Sequence, residues 1–93
     1  MKMTENNMRV PFWMRLLTKL NEEASFPSQI AKDLDITYSH TITTGKLLQK
    51  LKLMSVVKEG RRTYWSLSIQ GIRLAENVQI VVEYADKVRA AQG

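Results

Sequence analysis

The sequence predicts an α+β domain that is mostly α: three short helices, a two-stranded β-hairpin and a long C-terminal helix. Three observations predict it. Apolar residues recur at helical spacing in three successive segments, opened by Pro11, Pro27 and Thr37. Between Met54 and Leu67 the period changes, and β-branched and aromatic residues gather on either side of Glu59-Gly60. From Leu74 to Val88 the apolar residues step by four and three, a heptad pattern. The chain has 93 residues and 44% hydrophobic content, enough for one small core.

The first helix is expected over Val10 to Asn21. Pro11 suits a first turn, where its missing N–H costs nothing. Trp13, Leu16, Leu17 and Leu20 make one apolar stripe. Phe12 and Met14 lie beside it, either as surplus core or as contacts to another subunit. A polar connection follows, in which Phe26 is a lone aromatic that can start a short strand. The second helix spans Pro27 to Leu34, with Ile30, Ala31 and Leu34 facing inward. Asp35-Ile36-Thr37 is a tight turn, and Thr37 is a good N-cap for the third helix.

That third helix, within Thr37 to Leu53, has two unlike faces at about 100° per residue. Thr41, Thr44, Leu48 and Leu51 share one, with Gly45 and Leu47 at its edges. Ser39, Thr43, Lys46 and Lys50 share the other, which is hydroxyl-bearing and basic and carries no acid. A solvated face usually mixes Glu with Lys; this one suits close approach to a polyanion. A short helix, a three-residue turn and a longer polar-faced helix is the helix-turn-helix layout.

The hairpin pairs Val56-Val57-Lys58 with Thr63 to Leu67. Gly60 supplies the turn, and Lys58, Arg61 and Arg62 sit at the tip. Trp65 and Leu67 share the inward face, and Tyr64 points the other way. Ser68 caps the last helix. Its seam of Leu74, Val78, Val81, Ala85 and Val88 is widened by Ala75 and Val82 on one side and by Ile80 and Tyr84 on the other. A domain this small cannot cover such a band alone, so a second copy is expected to pair on it.

The net charge is +5, and all of it sits between Ile36 and Ser68. There Lys46, Lys50, Lys52, Lys58, Arg61 and Arg62 face a lone acid, Glu59, while the flanking segments each sum to zero. A concentrated basic patch implies a polyanionic partner, nucleic acid before an anionic membrane surface. With one His, no Cys and no glycine-rich phosphate loop, the chain offers no catalytic constellation, metal site or cofactor motif. His40 has no orienting partner nearby in sequence and is as readily a surface residue as a contact. No apolar run approaches a membrane span, and the first residues lack a signal-peptide core, which together with the absence of cysteine fits a cytoplasmic protein.

In this order of elements, SQIAKDLDITYSHT and LQKLKLMSVVKEGRRTYWSLSIQG resemble the winged helix-turn-helix transcription regulators. The likeness is to the multiple-antibiotic-resistance-regulator (MarR) and ArsR-like groups, especially their short archaeal or archaeal-viral members. It covers about Phe26 to Ala75. Lys52 stands where those proteins have a glycine, and the wing is short.

The resemblance implies a flexible segment over residues 1–9, a DNA-binding domain over 10–68 and a dimerisation helix over 69–93. It implies a homodimer on double-stranded DNA, with the third helix in the major groove. Tyr38, Ser39, His40, Thr43 and Lys46 would then reach base edges or nearby phosphates. Ile42 would meet a thymine methyl. Ser28 and Gln29 would touch the backbone, and Thr37 would belong to the DNA-binding set. Lys50, Lys58, Arg61 and Arg62 would contact phosphates, one wing arginine reaching the minor groove. Phe12, Leu74, Val78, Val81, Val82, Ala85 and Val88 would form the dimer interface. Members of these groups bind small phenolic effectors at the dimer junction, but no residue here supports one. The rival readings are a winged-helix protein-interaction module and a nucleic-acid-binding protein that does not read sequence, RNA included.

Overall fold

The computed structural model describes residues 10–92, so the expected flexible segment 1–9 lies outside the described residues. Three helices come first: α1 (Phe12–Glu22), α2 (Pro27–Leu34) and α3 (Tyr38–Lys50). The hairpin β1 (Met54–Glu59) and β2 (Arg62–Leu67) follows, then α4 (Ile69–Gln92).

Local chemistry sets most boundaries. Pro11 is extended and caps α1 rather than entering it, so the helix starts two residues later than expected; the Pro11 carbonyl accepts the Met14 and Arg15 N–H groups. Pro27 occupies the first turn of α2. Thr37 caps α3, its Oγ1 accepting the His40 N–H at 3.1 Å. The Ser68 hydroxyl does two jobs. It accepts the Gly71 N–H at 3.1 Å and donates to the Lys52 carbonyl at 2.7 Å, tying the start of α4 to the end of α3.

Both α2 and α3 end on a residue in the left-handed region, Asp35 at φ 55° and Lys52 at φ 63°. Each closes with the paired bonds of a Schellman turn. For α3 these run from Lys52 N–H to the Gln49 carbonyl and from Leu53 N–H to the Leu48 carbonyl. The turn therefore keeps the backbone that a glycine would favour, although lysine occupies it. Relief of the left-handed cost of about 1–2 kcal/mol outweighs the extra unfolded-state entropy of glycine, about 0.5–1 kcal/mol. Lys52→Gly is therefore expected to raise the melting temperature by a few degrees. A lower melting temperature would mean that the lysine stem packs usefully there.

The core is one cluster: Leu16, Leu17 and Leu20 of α1, Ile30 of α2, Leu48 of α3, Met54 and Trp65 of the hairpin, and Ala75 and Val78 of α4. Phe12, Trp13 and Met14 pack against it, so they are core margin rather than free surface. Leu51 was expected inside and is exposed, because α3 has already ended at Lys50. The hairpin pairs in register from Met54↔Leu67 to Glu59↔Arg62, leaving a two-residue loop. Gly60 at φ 64° is the residue there with positive φ, as a type II′ turn requires. A third strand segment was expected at Phe26 and is instead Ser25. Its N–H and carbonyl exchange bonds of 3.2 and 2.8 Å with Trp65.

The seam on α4 is corrected. Val78 (6% exposed), Val82 (6%) and Ala85 (4%) are buried inside the protomer, where α4 lies along α1. Arg15 pins the two helices with a 2.9 Å ion pair to Asp86. The buried stripe runs Gly71, Ala75, Val78, Val82, Ala85, again by fours and threes, with Gly71 set against the Leu53 backbone and Leu67. It is rotated from the expected seam, and Leu74 and Val88 lie half-buried at its edge. On the far side, Ile69 (68%), Ile80 (69%) and Tyr84 (66%) stand in solvent, with Val81 beside them.

Candidate nucleic-acid interface

The sequence packs α3 by making one face small. Thr41, Thr44, Gly45 and Leu48 are buried. Thr41 stays satisfied because its Oγ1 donates to the Thr37 carbonyl at 2.9 Å. Gly45 is the close approach: a Cβ there would overlap the Trp65 ring, 2.6 Å from Cζ3. The indole thus lies directly on the helix backbone and fixes where the hairpin sits relative to α3.

The opposite face is free. Tyr38, Ser39, His40, Thr43, Lys46 and Lys50 are all exposed. The Thr43 hydroxyl donates to the Ser39 carbonyl at 3.0 Å, leaving its oxygen lone pair and methyl outward. Ile42 is half-buried against the core and does not share this outer face. Thr37 has its hydroxyl oxygen engaged as the cap. His40 sets its ring against Phe12, centroids 5.0 Å apart and planes at 38°. That contact makes Phe12, which is half-buried, a brace between α1 and the start of α3.

On α2, Ser28 is exposed, whereas Gln29 turns along its own helix and donates to Asp33 Oδ1 at 2.7 Å. Asp33 also takes a 3.1 Å ion pair from Lys19 of α1. These two donors hold its carboxyl below the usual carboxylate range, and Asp33 in turn raises Lys19. This polar clamp fixes α2 on α1 and engages one amide hydrogen of Gln29.

The wing carries Lys58, Arg61 and Arg62, all exposed. Among the described residues the ion pairs are Arg15–Asp86 and Lys19–Asp33, so the six cations of the middle segment have no carboxylate partner. The wing is not separate from the helices. An open cleft of about 370 Å³ joins them, lined by Ser28 at the start of α2, Tyr38 at the start of α3, and Arg61, Arg62 and Thr63 of the wing. Phe26 lines it as well, with the Arg62 guanidinium carbon 4.9 Å above its ring centre and the Tyr64 ring meeting it edge-on at 5.9 Å. Sequence reasoning placed Phe26 only as a possible strand start. Its proximity to the wing depends on the Ser25–Trp65 bridge, which has no local signature.

No helix among the described residues is long and apolar enough to cross a membrane. No protein-family model and no curated protein sequence matches the chain. Solved structures do. It superposes on a point mutant of Lactococcus lactis ZitR with a TM-score of 0.78 and 23% identity, over 87% of this chain and 57% of that one. Wild-type ZitR in complex with DNA gives 0.74 and 22%, over 86% and 57%. The adhesin competence repressor AdcR from Streptococcus pyogenes gives 0.78 and 19%, over 89% and 63%. The chain thus spans less than two thirds of each of these proteins. At such identities the likeness speaks for architecture: the fold is a winged helix-turn-helix, with α2 and α3 as its helix pair and β1–β2 as its wing.

Proposed function

We propose that the chain is a sequence-specific, double-stranded-DNA-binding transcription regulator of MarR/ArsR-like type, acting as a homodimer. The observation that carries this is the junction of α3 and the wing. An acid-free helix face and a cleft holding two arginines adjoin, and no carboxylate of the described residues pairs with their cations. ZitR, which shares the architecture, is found in complex with DNA, and this supports DNA as the partner. In this reading α3 enters the major groove; Ser39, Thr43 and Lys46 face base edges, with Tyr38 and His40 beside them. Lys50, Lys58, Arg61 and Arg62 bind phosphates.

The dimer contact belongs on the outer face of α4. Ile69 with Ile72 and Ile80 with Tyr84 are two exposed apolar pairs on a 24-residue helix about 36 Å long at 1.5 Å per residue, with Arg73, Glu76 and Asn77 between them. Apolar pairs so placed suit a second copy of the same helix better than water. Two copies so joined would place their α3 helices about 34 Å apart, one turn of DNA, on a pseudo-palindrome.

The test is a gel shift with the protein's own promoter region, against random DNA and RNA competitors, at two salt concentrations. Preferential retention of the promoter supports the reading; equal competition by RNA or random DNA rejects it. Within it, Lys50→Ala is expected to weaken binding to every duplex and to flatten the salt slope by about 0.9. Ser39→Ala and Thr43→Ala are expected to change sequence preference with little change on random DNA. Identical effects of both kinds of variant on specific and random duplexes would reject this division.

The protein-interaction reading rests on an apolar excess at Phe12, Met14, Ile80 and Tyr84; Phe12 and Met14 are packed on the core, whereas Ile80 and Tyr84 are exposed. Leu47, Leu51 and Val57, each about half exposed, also favour it.

A further inference from the structure

The cleft between α2, α3 and the wing contains an interaction that the DNA-binding reading does not by itself require. Ser25 pairs with Trp65. Along β2, alternation puts Arg62 and Tyr64 on the face opposite Trp65. Phe26, next to Ser25, therefore lands against that face. Its ring receives the Tyr64 edge and carries the Arg62 guanidinium 4.9 Å from its centre.

A guanidinium is flat, and its five N–H donors lie in its plane. Held over an aromatic ring by cation–π attraction, it meets no hydrogen-bond acceptor there, so donors remain for a ligand. The stem also loses its freedom before any ligand arrives, so less entropy remains to be lost on binding. Arg62 is thus held with its donors available in a cleft lined also by Ser28, Tyr38 and Arg61. Three kinds of donor converge from three elements, and no carboxylate of the described residues pairs with either arginine. A phosphodiester is the group this set fits: tetrahedral, singly charged and rich in acceptors.

We infer that Phe26 is a positioning residue that holds Arg62 as a phosphodiester clamp, so that one DNA backbone phosphate seats in the cleft between the wing and the start of α3. This rests on the DNA-binding reading. It assigns Arg62 to a phosphate at a fixed place, not to a mobile probe of the minor groove.

The experiment uses the whole chain and a fluorescein-labelled random-sequence duplex of about two helical turns. Affinity is measured between about 50 and 200 mM salt. The variants are Phe26→Leu, Phe26→Trp, Arg62→Ala and the double variant Phe26→Leu/Arg62→Ala. Phe26→Leu keeps an apolar side chain but removes the ring, and is expected to weaken binding about fivefold. Phe26→Trp is expected to bind as wild type does. In the Arg62→Ala background, Phe26→Leu should change nothing, because the arginine it positions is gone. In the free protein, the Arg62 side-chain methylene protons should show an upfield ring-current shift that Phe26→Leu abolishes. Equal losses from Phe26→Leu with and without Arg62, or no loss at all, overturn the inference and leave DNA binding standing. A wild-type chain that shows no salt-dependent binding to the duplex overturns both.

Discussion

Gly45→Ala is expected to destabilise the protein by about 3 kcal/mol, against what helix chemistry alone would suggest. In an ordinary helix interior, glycine to alanine stabilises by about 1 kcal/mol. Here the added methyl would occupy the space of the Trp65 ring, which is itself buried and has Leu48 and Met54 in the same cluster. The ring cannot retreat a few tenths of an ångström, since the overlap is larger than that. Expelling a buried tryptophan costs about 3–5 kcal/mol, and the helix gain offsets only a fraction. At about 4–8 °C per kcal/mol for a domain of this size, the melting temperature should fall by more than about 10 °C. Thermal and urea unfolding followed by circular dichroism measure it. Combining Gly45→Ala with Trp65→Leu should recover part of the loss, because the two changes share one space. A rise in melting temperature for Gly45→Ala alone would show that the helix and the indole are not in contact.

The second large effect is expected from Ile80→Asp. Ile80 is 69% exposed, so the substitution should leave the folded protomer intact. A charge in a paired apolar surface loses its water and gains no partner. Sedimentation should show a dimer for wild type and a monomer for the variant. Affinity for a duplex with two half-sites should fall by about 10²–10⁴, the factor that linking two binding modules supplies. Affinity for a single half-site should not change. Val82→Asp makes the contrast: Val82 is buried against α1, and there the protomer itself should unfold. A variant at Ile80 that stays dimeric would move the pairing surface elsewhere.

The two predictions sit on opposite sides of what was legible in the sequence. The small, acid-free character of α3 could be read directly, and Thr41, Thr44 and Leu48 are inside as expected. Which residue needs Gly45 could not be read, because Trp65 reaches it from a separate strand. The heptad on α4 was visible too, but two overlapping stripes satisfy the same four-three stepping. Only the position of α1 decides that Ala75, Val78, Val82 and Ala85 belong to the protomer and that Ile80 and Tyr84 are left over.

The interface divides in the same way. Thr37 as a cap, Pro27 in a first turn, Gly60 in a tight hairpin and the basic tip beside it are local matters, settled within a few residues by hydrogen bonding and allowed φ. The sequence alone therefore determined the order of the elements, their caps and turns, and the confinement of the net charge to the middle of the chain. Tertiary structure decided which apolar stripe faces inward, that Lys19 reaches Asp33, that Phe12 braces His40, and that Phe26 carries Arg62. Those outcomes depend on pairs of residues far apart in the chain, and such pairs meet only when burial of the shared core brings them together.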